Sequence, residues 1–179
     1  MCMFRDLRAD EIECRVARVT DYGVSLLLYK DARCDQTILD ETVGEMGWQR
    51  MHTRDNANCI VSLWDEKKQM WISKEDTGTE SNTEKEKGLA SDSFKRACFN
   101  WGIGRELYTA PNININPDNC TIKDVNGRKA CYDTFEVQKI IIEKKRIVAL
   151  AIRNTKTKKT CFVWQEPKWE AEQKVKQNA

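Results

Sequence analysis

The hydrophobic period of this chain changes part-way along it, and that change limits the folds that it can adopt. Residues 48–54, 57–64 and 69–76 are three strand-like runs with period-two alternation, separated by short polar turns. From Thr83 to Trp101 the apolar residues recur at helical spacing instead. Successive short strands are most simply joined as an antiparallel meander, and a helix with one apolar stripe packs on a face of such a sheet. The stripe consists of Ala90, Phe94, Ala97, Cys98 and Trp101.

The segments before the meander predict two helices and a strand. Residues 7–18 have helical spacing with acidic residues near the start, which indicates a short helix. Gly23 begins a turn that leads into a short extended run ending at Tyr29. Residues 35–43 again have helical spacing, and Gly44 is well placed to end that helix.

The segments after the helix predict a strand-rich region. Residues 111–117 are predicted to be a loop, and Asn126-Gly127 is the strongest hairpin signal in the chain. After Pro167 the sequence is polar, which is compatible with a short helix or with disorder. Further strands are predicted at residues 135–142, 147–152 and 160–164.

Composition agrees with a folded protein and argues against several classes. Hydrophobic residues make up 40% of the 179 residues, enough for a core. No run of about 18 apolar residues could span a membrane, and the first residues lack the apolar centre of a secretion signal, so we expect a cytoplasmic location. We predict an α+β fold with a core domain at 1–110, a β-rich extension of the same domain at 111–165 and a polar, flexible tail or short helix at 166–179.

The eight cysteines are predicted to be free thiols. No two of them stand in a Cys-x-x-Cys pattern, and the single histidine, His52, cannot complete the usual Cys/His zinc sites. Thiols of a cytosolic protein pack as small apolar groups. We therefore expect neither a disulfide framework nor a metal site.

Two motifs around Asp76 could carry catalysis, and each has a simpler interpretation. Asp76-Thr77-Gly78 matches the aspartic-protease triplet, but the polar residues before it favour a strand end and turn. Asp76 with Glu84 and Glu86 could form a metal-dependent nuclease site, although alternating charge at a helix start is common on protein surfaces.

After these motifs, the residues that could still form a functional site are basic side chains and aromatic rings. Residues 1–82 carry a net charge of −5 (11 basic and 16 acidic side chains), whereas residues 83–179 carry +7 (19 and 12). Within 139–159 there are eight basic residues and one acid, a pattern that also fits a solvated pair of hairpins. Arg50, His52 and Arg54 are predicted to share a strand face, which favours a surface histidine over a general base. Cations that follow phosphates and rings that stack on bases suit a sequence-independent single-strand binder.

Three segments follow one another around the predicted long helix: Glu75-Asp76-Thr77-Gly78, the run from Glu84 to Lys95-Arg96-Ala97, and Trp101-Gly102-Ile103-Gly104. In this order they resemble the Rad-fifty-two/Rad-twenty-two-type single-strand DNA annealing proteins, and most of all their bacteriophage members. In that family a meander strand is followed by a helix that ends in Lys-Arg-Ala and then by an aromatic-Gly step. Residues 10–15 also resemble the family's first helix, and the resemblance covers about residues 8–108.

The resemblance implies a β-β-β-α core assembled into a ring, with single-stranded DNA in a basic groove around the outside. In the family, an arginine of the first helix, a tyrosine of the next strand and the Lys-Arg pair of the long helix contact DNA. Phe99 stands where some members have a further basic residue, which suggests that Lys30 or Arg33 contributes to the groove instead. The positions that match the family's contacts are Arg15, Tyr29, Lys95 and Arg96.

The predicted function is therefore strand annealing in homologous recombination and DNA repair, in the cytoplasm of a bacterial host cell. No catalytic residue, metal or cofactor is expected, and the absence of a nucleotide-binding Gly-x-x-x-x-Gly-Lys-Ser/Thr loop agrees with an ATP-independent process. The expected partners are single-stranded DNA and further copies of the chain, with a phage exonuclease or a host single-strand-binding protein as candidates. Two alternatives stay open: a protein-binding or regulatory module on the same fold, and a nuclease at Asp76, Glu84 and Glu86.

Overall fold

A computed structural model describes residues 4–79 and 85–177, within which the chain is α+β with mostly antiparallel strands and three α-helices. The helices are α1 (Ala32–Val43), α2 (Lys85–Asn100) and α3 (Pro167–Gln177). The strands are β1 (Glu13–Thr20), β2 (Gly23–Tyr29), β3 (Trp48–Thr53), β4 (Asn58–Asp65), β5 (Met70–Thr77), β6 (Ile113–Ile115), β7 (Ile122–Val125), β8 (Arg128–Cys131), β9 (Phe135–Glu143), β10 (Arg146–Asn154) and β11 (Thr160–Gln165).

The chain forms two compact units. The first contains the described part of Met1–Asp6 together with Asp31–Arg105, and the second contains Leu7–Lys30 together with the described part of Glu106–Ala179. The sequence suggested a single boundary near residue 110. The chain instead leaves the second unit after Lys30 and returns to it at Glu106.

The first unit contains the three-stranded meander and the helix that the sequence predicts. β4 lies between β3 and β5, both pairings are antiparallel, and α2 packs against β4 and β5. Of the predicted helical stripe, Phe94, Ala97 and Cys98 are fully buried. The ring of Trp48 stacks on Phe94 with 6.0 Å between ring centres, so the aromatic residue that begins β3 is part of the same core.

Gly78 allows α2 to lie close to the chain that follows β5. A Cβ atom at this position would lie 2.6 Å from the backbone nitrogen of Ser93 and 2.8 Å from the carbonyl oxygen of Leu89. The Gly78 N–H donates to the carbonyl of Ala57 at 2.8 Å, which fixes the segment in place. The glycine of the Asp76-Thr77-Gly78 triplet thus serves helix packing.

Two cations from outside α2 stabilise its C-terminal end. Lys74 Nζ donates to the carbonyl of Asn100 at 2.8 Å, and Arg105 donates to the carbonyls of Asn100 (3.0 Å) and Phe99 (2.9 Å). The last carbonyls of a helix lack intrahelical partners and carry the negative end of its dipole, so these contacts are favourable. Lys74 and Arg105 are therefore structural cations.

The second unit is built on a six-stranded antiparallel sheet. Its strand order is β11-β10-β9-β1-β2-β6, and β11 approaches β6, so the sheet is nearly closed. The hairpin of β7 and β8 forms a separate two-stranded sheet. The apolar residues that fill the interior include Val24, Leu26, Ile113, Ile115, Ile147, Leu150 and Ile152.

The prediction of a helix at residues 7–18 is wrong. Only Ala9–Glu11 forms a single 3-10 turn, in which the Glu11 carboxylate accepts the Arg8 N–H at 2.8 Å, and Glu13–Thr20 is strand β1. β1 pairs with both β2 and β9. Pairing with two neighbours and the β-branched Val16, Val19 and Thr20 outweigh the weak helical spacing.

The prediction of a loop at residues 111–117 is also wrong in part. Ile113–Ile115 is strand β6, with both isoleucines buried and Asn114 exposed between them. Its partner in the sheet is β2. A three-residue strand is too short to produce a recognisable alternation, so only its pairing partner defines it.

Several other predictions are confirmed. Asn126 and Gly127, with φ of +53° and +76°, form the two-residue turn between β7 and β8. No disulfide joins any two of the seven described cysteines, and Cys59 and Cys98 are fully buried. Of the two possibilities for the end of the chain, the structure has a helix, α3. None of the helices in the described residues is long and apolar enough to cross a membrane.

Candidate nucleic-acid interface

The outer face of the β1–β2 hairpin brings Arg15 and Tyr29 together. Arg15 lies opposite Leu27 and Glu13 lies opposite Tyr29, so Arg15 and Tyr29 are diagonal neighbours on one face. Diagonal neighbours in an antiparallel pair lie about 7–8 Å apart, within reach of long side chains. The opposite face of the hairpin contains Val24 and Leu26, which are buried.

A bulge in β1 adds Arg18 to this face. Val16 lies opposite Leu26, but the next pair is Arg18 with Ser25, so Ala17 is an extra residue without a partner in β2. Without the extra residue, strict alternation would put Arg18 on the face opposite to Arg15. Sequence reasoning missed Arg18 because it predicted a helix at residues 7–18 and took Arg15 from the resemblance. Nothing in the pattern of residues 13–20 marks the bulge either.

We call Arg15, Arg18, Leu27 and Tyr29 the hairpin face. Leu27 is 51% exposed and Tyr29 is 39% exposed. Both arginines are exposed, and neither guanidinium has a hydrogen-bond or ion-pair partner within residues 4–79 and 85–177. Exposed cations without protein partners beside an aromatic ring are suited to phosphates and bases.

A row of charged and polar side chains borders the hairpin face. The Tyr29 hydroxyl donates to Glu13 Oε2 at 2.5 Å, and Glu136 lies opposite Glu13 on β9. Arg153 Nε donates to Glu136 at 2.6 Å. The carboxylates of Glu13 and Glu136 therefore each accept a hydrogen bond from a different donor. The Tyr29 hydroxyl is used in one of these bonds, while the residue as a whole stays exposed.

Lys30, also in the second unit, is 6% exposed. A buried ammonium group cannot reach a phosphate on the surface without rearrangement. We therefore leave Lys30 out of the interface proposed below.

Lys95, Arg96 and Arg33 belong to the first unit. Arg96 Nε donates to Asp92 Oδ2 at 2.9 Å, one helical turn earlier. Burial alone would raise the pKa of Asp92, but hydrogen bonds from Thr79 and Arg96 outweigh burial and hold this pKa below its ordinary value. The charge of Arg96 is therefore partly neutralised by the ionised carboxylate of Asp92.

Arg33 and Lys95 are grouped around Asp31. Arg33 donates to Asp31 from its side chain and its backbone, and these hydrogen bonds lower the pKa of Asp31, with a smaller contribution from the charge of Lys95. The side chain of Arg33 is nevertheless 85% exposed. Lys95 has no hydrogen bond or ion pair in the part of the chain that the structure describes.

The six predicted site residues are therefore divided between the units. Arg15, Tyr29 and Lys30 are in the second unit, where the first two share a face. Arg33, Lys95 and Arg96 are in the first unit, where Arg33 and Lys95 lie near the same aspartate and Arg96 pairs with another.

Of the predicted basic stripe, Arg50 and His52 contact α2, although Arg50 stays exposed, and Arg54 is exposed. The guanidinium of Arg50 lies 4.9 Å from the ring centre of Phe94, and His52 Nδ1 lies 3.4 Å from Ser93 Oγ. Burial lowers the pKa of His52, and the charge of Arg50 lowers it further. Arg54 is in the turn after β3, with φ of +53°.

The nuclease and protease motifs gain no support from the described contacts. One carboxylate oxygen of Asp76 accepts from Asn100 Nδ2 at 3.2 Å and the other from the Thr77 N–H at 2.7 Å. Glu84 and the side chain of Glu86 lie outside the described residues. Among the residues that are described, no group of three or more His, Cys, Asp or Glu side chains could hold a metal ion.

The face of the meander that points away from α2 is open. It has a shallow depression of about 740 Å³ whose lining includes Met51, Ile60, Ser62 and Ser73. Met51 is 57% exposed, and the hydroxyls of the two serines are 2.8 Å apart. Trp71 is 37% exposed at one end of this face, edge-on to Trp64.

No family model, curated protein or solved structure matches this chain. The resemblance to the annealing proteins therefore stays a prediction. The functional argument below depends on the contacts, exposure and charges of this chain's own residues.

Proposed function

We propose that this chain is a single-stranded DNA-binding protein that anneals complementary strands in recombination and repair. The observation that supports the proposal most directly is the hairpin face, where two exposed arginines without protein partners lie beside the exposed side chains of Tyr29 and Leu27. Arginine binds phosphate oxygens in two-pronged geometry. An aromatic ring adds about 1–3 kcal/mol per stacked base without a preference for sequence.

The proposed mechanism breaks no covalent bond. Arg15 and Arg18 hold the sugar-phosphate backbone, so that base edges stay accessible to a complementary strand. Pairing then draws on the stacking free energy of DNA, about 1.4 kcal/mol per base-pair step. The protein needs no nucleotide cofactor, because the product duplex itself supplies the driving force.

We further propose that the chain acts as a homo-oligomeric ring with a core of the annealing type. Copies side by side would repeat the same groups along a strand and add their contacts. Lys95 and Arg33 are the candidate phosphate contacts of the first unit, considered by itself. A phage exonuclease or a host single-strand-binding protein would be the partner that supplies or releases the strand.

The test is binding of a short labelled oligothymidylate by fluorescence anisotropy at several salt concentrations. We expect the double variant Arg15→Ala/Arg18→Ala to bind more weakly, and to lower the slope of log K against log salt by about 1.4, since each phosphate contact contributes about 0.7. Lys144→Ala is the control, because Lys144 is an exposed cation without a partner in the described residues, on the β9–β10 turn.

Retained circular dichroism and thermal unfolding would show that both variants are folded. If the double variant binds the oligonucleotide as tightly as the wild type does, the assignment of binding to the hairpin face is refuted. Mixing two complementary oligonucleotides with the wild-type chain, without ATP, tests annealing in the same samples.

A second candidate function is protein binding at the open face of the meander. The exposed side chains of Met51 and Trp71 and the depression that Met51 lines favour a contact with another protein. This candidate predicts that the wild-type chain binds no oligonucleotide, so the anisotropy assay separates the two functions.

A further inference from the structure

The loop between β10 and β11, residues 155–159, is basic and is held in shape by a buried side chain. Asn154 is fully buried, and its Oδ1 accepts the N–H groups of Lys156 (3.0 Å) and Thr157 (3.3 Å). Its backbone N–H donates to the carbonyl of Lys159 at 3.0 Å, which closes the loop. We call residues 155–159 the basic loop.

The side-chain amide of Asn154, which holds the basic loop, uses both its nitrogen and its oxygen in hydrogen bonds. Asn154 Nδ2 donates to the carbonyl of Asn119 (3.1 Å) and to Asp133 Oδ2 (3.0 Å). Burial alone would raise the pKa of Asp133, but hydrogen bonds from Thr121 and Asn154 outweigh it and lower this pKa. Among the described residues, Asp133 Oδ1 is buried without a hydrogen bond and has only Lys156 Nζ nearby. The shape of the loop therefore depends on the hydrogen bonds of Asn154, which are in place before a ligand binds.

The basic loop presents cations that the protein does not use. Lys158 and Lys159 are exposed and have no hydrogen-bond or ion-pair partner among the residues that the structure describes, apart from their backbone groups. Lys156 Nζ lies 3.6 Å from Asp133 Oδ1, so its charge is partly compensated. Lys158 has φ of +57°, a left-handed conformation that is uncommon for residues other than glycine.

The basic loop lies at the same end of the sheet as Arg15. Glu13 lies opposite Glu136, so Arg15, two residues later in an antiparallel pair, is level with Thr134. The Thr155 N–H donates to the carbonyl of Thr134 at 2.9 Å, which puts the start of the loop on that level. Only β9 separates β1 from β10, so two strand spacings, about 10 Å, lie between the backbones.

We propose that the basic loop is a second phosphate-binding element for the same DNA strand that the hairpin face holds. The strand would pass from Arg15 and Arg18 across the end of the sheet to Lys158 and Lys159. This inference rests on the proposed function, because it takes a single-stranded polynucleotide as the ligand. A negatively charged backbone complements both groups of cations, and a loop that is already held in shape loses little conformational entropy on binding.

The test repeats the anisotropy titration with Lys158→Ala/Lys159→Ala. We expect weaker binding and a salt slope lower by about 1.4, from two contacts at about 0.7 each. The matched control is Lys67→Ala/Lys68→Ala in the turn between β4 and β5. That control removes two adjacent exposed lysines whose N–H groups both bond to Asp65 Oδ1 at 3.0 Å, in the first unit, and should leave the slope unchanged.

The outcomes separate this inference from the proposed function. If Lys158→Ala/Lys159→Ala keeps the wild-type affinity and slope while Arg15→Ala/Arg18→Ala weakens binding, the basic loop is not part of the DNA path and the function stands. If the wild-type chain binds no oligonucleotide, the proposed function fails and this inference with it. Charge reversal, Lys158→Glu/Lys159→Glu, should weaken binding further than alanine does, and an equal effect would count against a phosphate contact.

Discussion

The character of the hairpin face is set by individual residues. Ala17 is the extra residue of the bulge, and through it Arg18 joins Arg15 on the exposed side of β1. The residue types were visible in the sequence, and Arg15 and Tyr29 were selected from it. Arg18 was not, because residues 7–18 were predicted to be a helix. Even a correct strand prediction would have put Arg18 on the other face, since a bulge depends on how β1 meets β2.

His52 provides a residue-scale prediction because it is the only histidine in the chain. Burial, with help from Arg50, lowers its pKa in the folded state, so the unfolded chain binds a proton more readily. The stabilising contribution is complete above pH of about 6.5, the unfolded value, and is lost as the pH falls from there through the folded pKa. The free energy of unfolding should therefore decrease between pH 7 and 5, by at most about 1.4 kcal/mol per pH unit.

Urea titrations of the wild type and of His52→Gln across this range check the prediction. The variant should lack the decrease, because no other histidine titrates there. The aspartates with lowered pKa values, Asp31, Asp92 and Asp133, lose their contributions only as the pH falls below about 3.8. Parallel curves for the two proteins between pH 7 and 5 would contradict the assignment to His52.

At the scale of secondary-structure elements, long segments with one strong period were predictable and short or ambiguous ones were not. α2 has a continuous apolar stripe, and β3, β4 and β5 alternate regularly, so each was located within about two residues. Residues 7–18 satisfied a helical pattern, but most of this segment belongs to strand β1. The pattern failed because β1 is defined by its pairing with β2 and β9, which are contacts with other segments of the chain. For the same reason the Ile113–Ile115 strand was missed.

The contact of Gly78 with α2 gives a prediction at this scale. Gly78→Ala should destabilise the protein by about 2 kcal/mol, because the added Cβ meets helix backbone that can move only as a unit. Gly44→Ala is the control within the same unit. Gly44 has φ of +77°, but no atom lies within 4 Å of the place that an added methyl group would occupy, so only about 1 kcal/mol of backbone strain is expected.

Urea denaturation of the two variants and the wild type measures both losses. Replacement by valine sharpens the comparison, since a larger side chain should increase the cost at Gly78 much more than at Gly44. Equal losses at the two positions would mean that the close approach to Ser93 and Leu89 does not limit the packing of α2.

At the scale of the whole molecule, the division into units could not be predicted from the sequence. Residues 31–105 separate β2 from β6 along the chain, yet these two strands pair in one sheet. Local periodicity indicates where strands are but not which distant strands they meet. The six candidate residues were chosen as one site on the resemblance, whereas Arg15 and Tyr29 belong to one unit and Arg33, Lys95 and Arg96 to the other.

The four cations of the hairpin face and the basic loop lead to a prediction for the intact protein. Arg15, Arg18, Lys158 and Lys159 would give four phosphate contacts, so log K for a single strand should fall with log salt at a slope of about −2.8 per bound chain, from about 0.7 per contact. Lys95 would make the slope steeper if the first unit takes part. The variant that replaces all four by alanine separates these cases. A slope near zero assigns the phosphate contacts to the second unit, and a slope of about −0.7 matches one further contact, as expected for Lys95. A retained slope of about −2 or steeper would contradict both the hairpin face and the basic loop.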